Sequence, residues 1–207
     1  MKVKICGLKT TEDIQMANRQ KPDFVGFVFA GKKRKLTPGQ AEEMKKKLLP
    51  KIKSVGVFVN AEEERIEELV SRGVLDYIQL HGDEDGACIL RLKKRTGKPI
   101  IKAVRVRNRE EILKAQELPC DYLLLDAFKA EEYGGSGETF PWELIPELKK
   151  PYFLAGGLSA ENMGEALKWC RPWAVDVSSS VETDGKKDEE KVRIFIQEVR
   201  KRERRLL

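Results

Sequence analysis

An aspartate ends one of the most apolar segments of the chain, and a glycine-rich stretch follows shortly after it. The segment DYLLLD ends at Asp126, and the four residues GGSG occupy positions 134–137. Asp and Gly are common turn residues, so this pattern can be a loop without further function. A carboxyl group at a strand end can also donate a proton, and the backbone N–H groups of a glycine-rich loop can bind a phosphate. Acid–base chemistry on a phosphorylated compound is therefore one of two interpretations.

Three other groups of polar side chains could take part in such chemistry. Cys6 stands before Gly7 at the end of KVKIC, where a thiol can be partly ionised, although a free cysteine also packs as a small hydrophobic residue. His81 is the only histidine and follows the segment DYIQL. Residues 32–35 read KKRK, which suits an anion site or solvated surface. Taken alone, each of these residues also has a structural explanation.

The composition is typical of a globular protein rather than a nucleic-acid-binding module. The chain has 207 residues, of which 41% are hydrophobic and 36% are charged, and its net charge is +6. Charges of both signs alternate, as in AEEMKKKLLPK, which indicates solvated helix faces. The aromatic residues do not interleave with the basic runs. We therefore expect no nucleic-acid partner.

The cysteines and the apolar runs indicate a soluble, cytoplasmic protein. The four cysteines are far apart and include no C-x-x-C pair, so we expect reduced thiols rather than disulfides or a metal site. No apolar run approaches the roughly 18 residues of a membrane span. The first residues, MKVKIC, enter a strand at once and do not resemble a signal peptide. We expect no membrane partner.

Eight short apolar segments alternate with helical patterns along the chain. The predicted strands are 2–6, 23–29, 54–59, 76–80, 99–104, 121–126, 151–156 and 173–178. Most of them lack a polar face, as expected of a parallel sheet that helices cover. Eight strand–helix units of roughly 25 residues predict an α/β fold, a single eight-fold (β/α) TIM barrel over residues 1–207. An open doubly wound sheet is the alternative, but CGLKTTED lacks the glycine pattern of that fold.

Local signals also predict where individual helices begin. Thr37 and Gln40 form a capping box for a helix that starts at Pro38. Asn60 and Asn108 are the predicted N-caps of two further helices. The apolar face of the last helix is predicted to consist of Val192, Phe195, Ile196 and Val199.

The functional residues of such a barrel lie at the carboxyl ends of the strands and in the loops that follow. Cys6, His81 and Asp126 stand at three of these ends. Glycines and serines follow the sixth, seventh and eighth strands, and loops in this region often bind a phosphate through backbone N–H groups. The candidate phosphate-binding residues are Gly135, Gly156, Gly157, Ser178, Ser179 and Ser180. We therefore expect a phosphorylated small molecule as the substrate.

Short motifs at seven of the eight strand ends together resemble the phosphoribosylanthranilate isomerase family. They are KICG at 4–7, VGFVF at 25–29, VGVFVN at 55–60, QLHG at 79–82, LLLD with YGGSG at 123–137, AGGL at 155–158 and DVSSSVE at 176–182. The ordered set is specific, although no single motif is. The family has a β/α barrel and catalyses an Amadori rearrangement in tryptophan biosynthesis. The resemblance implies that fold and that activity, with no metal and no coenzyme.

The resemblance also implies roles for individual residues. Cys6 falls on the general base of the family and Asp126 on its general acid. Arg34 best matches an arginine that meets the anthranilate carboxylate, and the lysines at 32, 33 and 35 are the alternatives. His81, within QLHG, joins the expected substrate-binding residues, and the phosphate is expected on the glycines and serines of the last three loops.

An acid and a base on different strands suit this rearrangement. Opening of the ribose ring needs a proton on the ring oxygen, and burial favours the protonated form of a carboxyl group. A base, for which a thiolate is suited, then removes a proton from the adjacent sugar carbon. Ser180 stands where the family usually has glycine. We expect an ordinary φ at this serine and a hydroxyl group that can bind the phosphate.

Three other functions are alternatives. The related sugar-phosphate isomerase of histidine biosynthesis performs the same rearrangement on another amine, but in that family an aspartate is expected at the position of Cys6. A non-catalytic phosphate-binding barrel would lack the acid or the base, yet Cys6 and Asp126 are both present. A basic nucleic-acid module would show salt-dependent binding and no turnover. For the assembly, we expect a monomer or a homodimer.

Overall fold

The computed structural model describes residues 1–127 and 139–206, and its main feature is a closed barrel of eight parallel strands. The barrel strands are β1 (Lys2–Cys6), β2 (Phe24–Val28), β3 (Lys53–Phe58), β4 (Tyr77–Leu80), β5 (Ile100–Val106), β6 (Tyr122–Ala127), β7 (Tyr152–Leu154) and β8 (Ala174–Val177). They pair in chain order, and β1 pairs with β8. This closure confirms the predicted eight-fold barrel, because an open doubly wound sheet has two unpaired edges.

Helices connect the strands on the outside of the barrel. The α-helices within the described residues are α1 (Thr11–Gln20), α2 (Pro38–Lys47), α3 (Glu63–Ser71), α4 (Gly86–Thr96), α5 (Arg109–Gln116), α6 (Met163–Trp169) and α7 (Glu189–Leu206). The described part of the β6–β7 connection differs, since it contains only the 3₁₀ helix Trp142–Leu144. A two-stranded hairpin, β9 (Glu182–Thr183) and β10 (Lys186–Lys187), follows β8. Within these ranges no helix has both the length and the apolar character needed to cross a membrane.

Two of the three predicted N-caps are confirmed and one is wrong. The Thr37 side chain accepts from the Gln40 N–H, and Asn108 caps α5 in the same way. Asn60 does not cap α3, which begins at Glu63 after Glu62. The Asn60 side chain instead bonds to Asp83 in the loop after β4, and its backbone has a φ of 48°. A tertiary contact thus replaces the local cap at this position. The predicted apolar face of α7 is buried as expected.

Alternate strand residues point into the barrel, and they change from aromatic to polar towards the carboxyl ends of the strands. Phe24 on β2 and Phe153 on β7 have ring centroids 5.6 Å apart, and since these strands are not neighbours, both rings lie inside. Lys4 on β1 is the register partner of Phe24 and therefore also points inside. Cys6 comes two residues after Lys4, and Asp126 comes two residues after an interior leucine of β6. The closed barrel thus brings polar side chains together at the carboxyl ends of the strands, next to a layer of aromatic side chains in its interior.

Candidate active site

Cys6 ends β1 and presents a half-buried thiol at the upper end of the barrel interior. Gly26 on β2 leaves space for this thiol, because an added Cβ there would lie 2.6 Å from Cys6 Sγ. Burial raises the pKa of the Cys6 thiol, and the charges of Lys4 and Lys187, with a hydrogen bond from Lys4, oppose that rise. Burial, with the charge of Asp176, outweighs the two ammonium groups, so the pKa of the Cys6 thiol is raised. The ammonium groups limit this rise and so favour the thiolate, which is the form that can accept a proton.

A buried ion pair lies beneath this thiol. Lys4 on β1 and Asp176 on β8 are register partners, and Lys4 Nζ donates to Asp176 Oδ2 at 2.8 Å. Lys4 is 0% exposed; burial lowers its pKa, but Asp176 and Cys6 outweigh burial, so the pKa of Lys4 is raised. Asp176 Oδ1 is buried without a hydrogen-bond partner among the described residues. Asp176 also interacts electrostatically with Asp126, which links the two predicted catalytic positions.

Asp126 lies near the end of β6 with only 7% of its surface exposed. Its Oδ2 is 3.3 Å from Nε2 of His81, the buried residue that follows β4. The amide nitrogen of Gln79 is 2.9 Å from Nδ1 of the same ring. With that amide donating, the imidazole proton is assigned to Nε2, which faces Asp126. His81, predicted to contact the substrate, is thus beside the predicted acid, but its Nε2 makes no hydrogen bond to a described residue. The Ala127 N–H donates to Asp126 Oδ1 at 2.9 Å and orients the carboxyl group.

Arg34 is the cation of the 32–35 run whose side chain turns towards the site. It is half-buried, whereas the three lysines of the run are exposed. An added Cβ on Gly7 would collide with Arg34 Cδ, so the Arg34 side chain passes directly over the residue that follows β1. Arg34 Nε and Nη2 donate to the two carboxylate oxygens of Glu182 at 2.9 and 2.8 Å. This bidentate pair fixes the plane of the guanidinium group.

The hairpin after β8 supplies Glu182 and a second cation. Lys187 Nζ donates to Glu182 Oε1 at 2.6 Å and to the backbone oxygen of Ser178 at 2.9 Å. Burial raises the pKa of Glu182, but the hydrogen bonds and charges of Arg34 and Lys187 outweigh burial and lower that pKa to about 2. Glu182 is therefore a carboxylate at neutral pH, held between two cations.

The loop after β7 has a backbone that requires glycine. Gly156 and Gly157 have φ values of 77° and 64°, in the region that L side chains rarely adopt. An added Cβ on Gly156 would lie 2.5 Å from the backbone nitrogen of Ala127, so the loop packs tightly against the end of β6. Gly135, which was predicted to join these glycines, lies outside the described residues.

The serines after β8 lie beside the end of β1. Ser178 Oγ donates to the backbone oxygen of Cys6 at 3.0 Å, and Ser179 begins the 3₁₀ turn Ser179–Val181. Ser180 is not among the described residues with positive φ, as expected from the sequence. The Ser180 hydroxyl is buried and has no hydrogen-bond partner among the described residues.

Sequence reasoning did not identify Lys4, Asp176, Glu182 and Lys187 as site residues. Lys4 and Asp176 are charged residues at interior positions of otherwise apolar strands. Because strand side chains alternate between the two faces, the sequence could have shown that both point into the barrel. The pairing of β9 with β10 places Glu182 beside Lys187. Glu182 also contacts Arg34, which lies 148 residues earlier in the chain. The sequence contains no local signal for that contact.

This arrangement combines proton transfer with binding of anions. A thiol near two ammonium groups and a carboxyl group beside a histidine lie at one end of the barrel. The guanidinium group and the glycine and serine loops offer donors to negatively charged groups. Among the described residues, no cluster of three His, Cys, Asp or Glu side chains is placed to hold a metal ion. The geometry suits acid–base isomerisation of an anionic compound.

Comparison with known families gives a match over nearly the whole chain. A family model for N-(5'-phosphoribosyl)anthranilate (PRA) isomerase matches residues 3–198. The N-(5'-phosphoribosyl)anthranilate isomerase of Lachnoclostridium phytofermentans is 46% identical, and the similarity covers 95% of this chain and 96% of the relative.

Solved structures of similar proteins have the same architecture. The phosphoribosyl anthranilate isomerase of Thermotoga maritima has a TM-score of 0.84 and 36% identity, with 97% of this chain and 99% of that chain covered. A phosphoribosyl anthranilate isomerase in complex with reduced 1-(o-carboxyphenylamino)-1-deoxyribulose 5-phosphate has a TM-score of 0.82 and 34% identity, with the same coverage of 97% and 99%.

Proposed function

Because the chain belongs to the N-(5'-phosphoribosyl)anthranilate isomerase family, we propose that Cys6 and Asp126 carry out the proton transfers of its reaction. The enzyme converts N-(5-phosphoribosyl)anthranilate to 1-(o-carboxyphenylamino)-1-deoxyribulose 5-phosphate in tryptophan biosynthesis, by an Amadori rearrangement. The rearrangement moves hydrogen from the second to the first carbon of the sugar and needs an acid and a base. The two residues have different surroundings, which suits the two roles.

Asp126 is the general acid. Its proton goes to the ribose ring oxygen as the bond from that oxygen to the first sugar carbon breaks, and the anthranilate nitrogen forms a double bond to that carbon. The burial of Asp126 supports this role, and the Ala127 N–H, which donates to Asp126 Oδ1 at 2.9 Å, keeps the carboxyl group in one orientation. His81, with Nε2 3.3 Å from Asp126 Oδ2, is then a substrate-binding residue beside the acid.

Cys6 is the general base. Its thiolate removes the proton from the second sugar carbon, and the electrons of that C–H bond form the carbon–carbon double bond of an enolamine while those of the carbon–nitrogen double bond return to nitrogen. The enolamine then loses its hydroxyl proton and gains a proton at the first carbon, which gives the ketone. Lys4 and Lys187 support this role, since positive charge favours the thiolate that burial disfavours. The thiol and the acid are on β1 and β6, which lets them act on different parts of one sugar.

The two anionic ends of the substrate are held by different loops. Arg34, fixed by Glu182 beside the end of β1, binds the anthranilate carboxylate. The residues proposed for the phosphate are Gly135, Gly156, Gly157, Ser178, Ser179 and Ser180. Their support is the positive φ of the two glycines after β7 and the free hydroxyl of Ser180, with Gly135 outside the described residues. Fixing both ends keeps the sugar aligned between acid and base.

The observation that carries these assignments is the convergence of Cys6 and Asp126 on one interior layer, with Asp176 interacting with both. Cys6→Ala and Asp126→Asn should each lower kcat by at least about a hundredfold, because each removes a group that transfers a proton. The loss of substrate fluorescence measures turnover, and calorimetry with the reduced product analogue measures binding, which should change little.

Two matched variants control for the substitutions themselves. Cys88→Ala replaces a half-buried thiol on α4, and Asp184→Asn replaces an exposed carboxylate at the tip of the β9–β10 hairpin. Both should turn over at the wild-type rate. If Cys6→Ala turned over at the wild-type rate, the general base would have to be another residue. If Asp126→Asn did so, the general acid would have to be another residue.

We also propose that the enzyme acts in the cytoplasm as a monomer or a homodimer. The four cysteines all lie within the described residues and are free thiols, which suits a reducing compartment. Light scattering on the purified chain measures its mass directly. A trimer or a larger assembly would contradict the expected size.

A further inference from the structure

Lys187 is a buried lysine whose charge favours the Cys6 thiolate but whose direct contacts are to other groups. Its side chain is only 1% exposed, although its neighbour Lys186 on β10 is exposed. Lys187 Nζ contacts the Glu182 carboxylate at 2.6 Å and the backbone oxygen of Ser178 at 2.9 Å. Burial lowers the pKa of Lys187, and the contact with Glu182 offsets only part of that change. A lysine is costly to bury unless its charge has a partner, so this position calls for a physical reason.

The charges around Arg34 suggest that reason. Nε and Nη2 of Arg34 donate to Glu182, so Glu182 occupies one edge of the guanidinium group. The N–H groups of Nη1 remain for another anion. An arginine paired with a single carboxylate has no net charge, and such a pair would attract a substrate carboxylate only weakly. Lys187 adds one positive charge to the pair, so the group of three has a net charge of +1.

We propose that Lys187 is a positioning residue for substrate recognition: its ammonium group balances Glu182, so that Glu182 can orient Arg34 without cancelling the positive charge that binds the anthranilate carboxylate. This inference rests on the proposed role of Arg34. It assigns to Glu182 the task of fixing the guanidinium plane and to Lys187 the task of preserving its charge.

The lysine also connects the two halves of the substrate site. Its second contact, to the backbone oxygen of Ser178, reaches the loop proposed to bind the phosphate. A lysine that only braced this loop would matter equally for ligands with and without a carboxylate. A lysine that preserves the charge of Arg34 matters mainly for ligands with one. The two roles therefore predict different binding measurements.

The test compares two ligands. One is reduced 1-(o-carboxyphenylamino)-1-deoxyribulose 5-phosphate, and the other is the same compound with a phenylamino group that lacks the carboxylate. Lys187→Met should raise the dissociation constant of the carboxylated ligand about tenfold more than that of the other ligand. This is the effect expected when one charge is lost near a charge-assisted hydrogen bond. Lys186→Met, on the exposed side of the same strand, removes the same formal charge and should leave both dissociation constants unchanged.

A second variant tests the charge balance directly. The double variant Glu182→Gln with Lys187→Met removes one negative and one positive charge and leaves Arg34 with its own +1. It should bind the carboxylated ligand at least about threefold more tightly than Lys187→Met alone, because the cancelling carboxylate is gone. A structural brace cannot be restored by a second deletion, so this recovery distinguishes the two roles.

The inference is overturned if Lys187→Met weakens the binding of both ligands equally. It is also overturned if the double variant binds the carboxylated ligand no more tightly than Lys187→Met. Arg34→Ala separates this result from the proposed function. If Arg34→Ala abolishes the preference for the carboxylated ligand and Lys187→Met does not, the inference fails and the role of Arg34 stands. If Arg34→Ala keeps the full preference, the role of Arg34 itself is wrong. Should Lys187→Met not fold, Lys187→Gln keeps a donor without the charge and should give the same loss of preference.

Discussion

Ser180 occupies a position at which the resemblance leads one to expect glycine, and its surroundings explain why a serine fits. The residue is within the 3₁₀ turn Ser179–Val181 and has no positive φ, so the backbone carries no strain that only glycine could relieve. Its buried hydroxyl has no partner among the described residues. The serine can therefore add a donor to the phosphate site without a cost in backbone conformation.

Ser180→Gly should bind the reduced product analogue a few times more weakly, and its free energy of unfolding should be equal or lower by about 0.5 to 1 kcal/mol. The first effect follows from the lost hydroxyl, and the second from the greater freedom of glycine in the unfolded chain. Calorimetry and urea unfolding measure the two quantities. Ser180→Ala, which loses the hydroxyl without added freedom, should reproduce only the weaker binding. A glycine variant that is both more stable and tighter-binding would show that the serine is strained.

Two neighbouring strands control the position of the Cys6 thiol, the proposed general base. β1 and β2 are paired with Cys6 opposite Gly26, and the absent side chain of that glycine leaves room for Cys6 Sγ. The site therefore depends on a residue of β2 that makes no polar contact with a substrate. Its effect is steric and acts through the packing of two strands.

Gly26→Ala should lower kcat at least about tenfold and destabilise the protein by roughly 1 to 3 kcal/mol, because the added methyl group would lie 2.6 Å from Cys6 Sγ and force the thiol to move. Steady-state kinetics and urea unfolding measure these effects. Gly39→Ala on α2, where an added Cβ meets nothing within 4 Å, is the matched control and should keep full activity. Normal turnover by Gly26→Ala would mean that the thiol tolerates displacement.

The whole molecule has many charges, but within residues 1–127 and 139–202 only a few of the charged side chains are buried. Most ion pairs involve exposed side chains on the helices, as in Lys46 with Glu43, and such pairs contribute little to stability. The Arg34–Glu182–Lys187 group is different, because its side chains are mostly shielded from solvent and connect the β2 loop with the hairpin after β8. Its ionisation should therefore affect the stability of the entire barrel.

The free energy of unfolding should fall between pH 4.5 and pH 2 partly because of Glu182. Its pKa is lowered in the folded protein from 4.5 to about 2, so the stabilisation is complete above pH 4.5 and is lost as the pH falls towards 2. Urea unfolding across this range should show wild type losing up to roughly 3 kcal/mol more than Glu182→Gln. Glu43→Gln, at a mostly exposed position, should follow the wild-type curve. Parallel curves for wild type and Glu182→Gln would contradict the shift.

Sequence patterns alone predicted the strands, two of the helix starts and the end of the barrel at which the candidate site lies. Apolar periodicity and the Thr37 and Asn108 caps involve neighbours within a few residues, so they are visible in one dimension. The same periodicity places Cys6 and Asp126 at carboxyl ends of strands, where the barrel rule expects chemistry. The predicted cap at Asn60 was wrong, because its partner Asp83 belongs to another loop.

Only the tertiary structure decided which charges meet. Closure of the barrel pairs Lys4 with Asp176, and the hairpin places Lys187 against Glu182 and Arg34. The energies of these contacts depend on distances of a few ångströms and on burial, and neither is encoded in sequence spacing. The first pair is 172 residues apart in the chain, so the thiol acquires its electrostatic environment only when the first and last strands of the barrel come together.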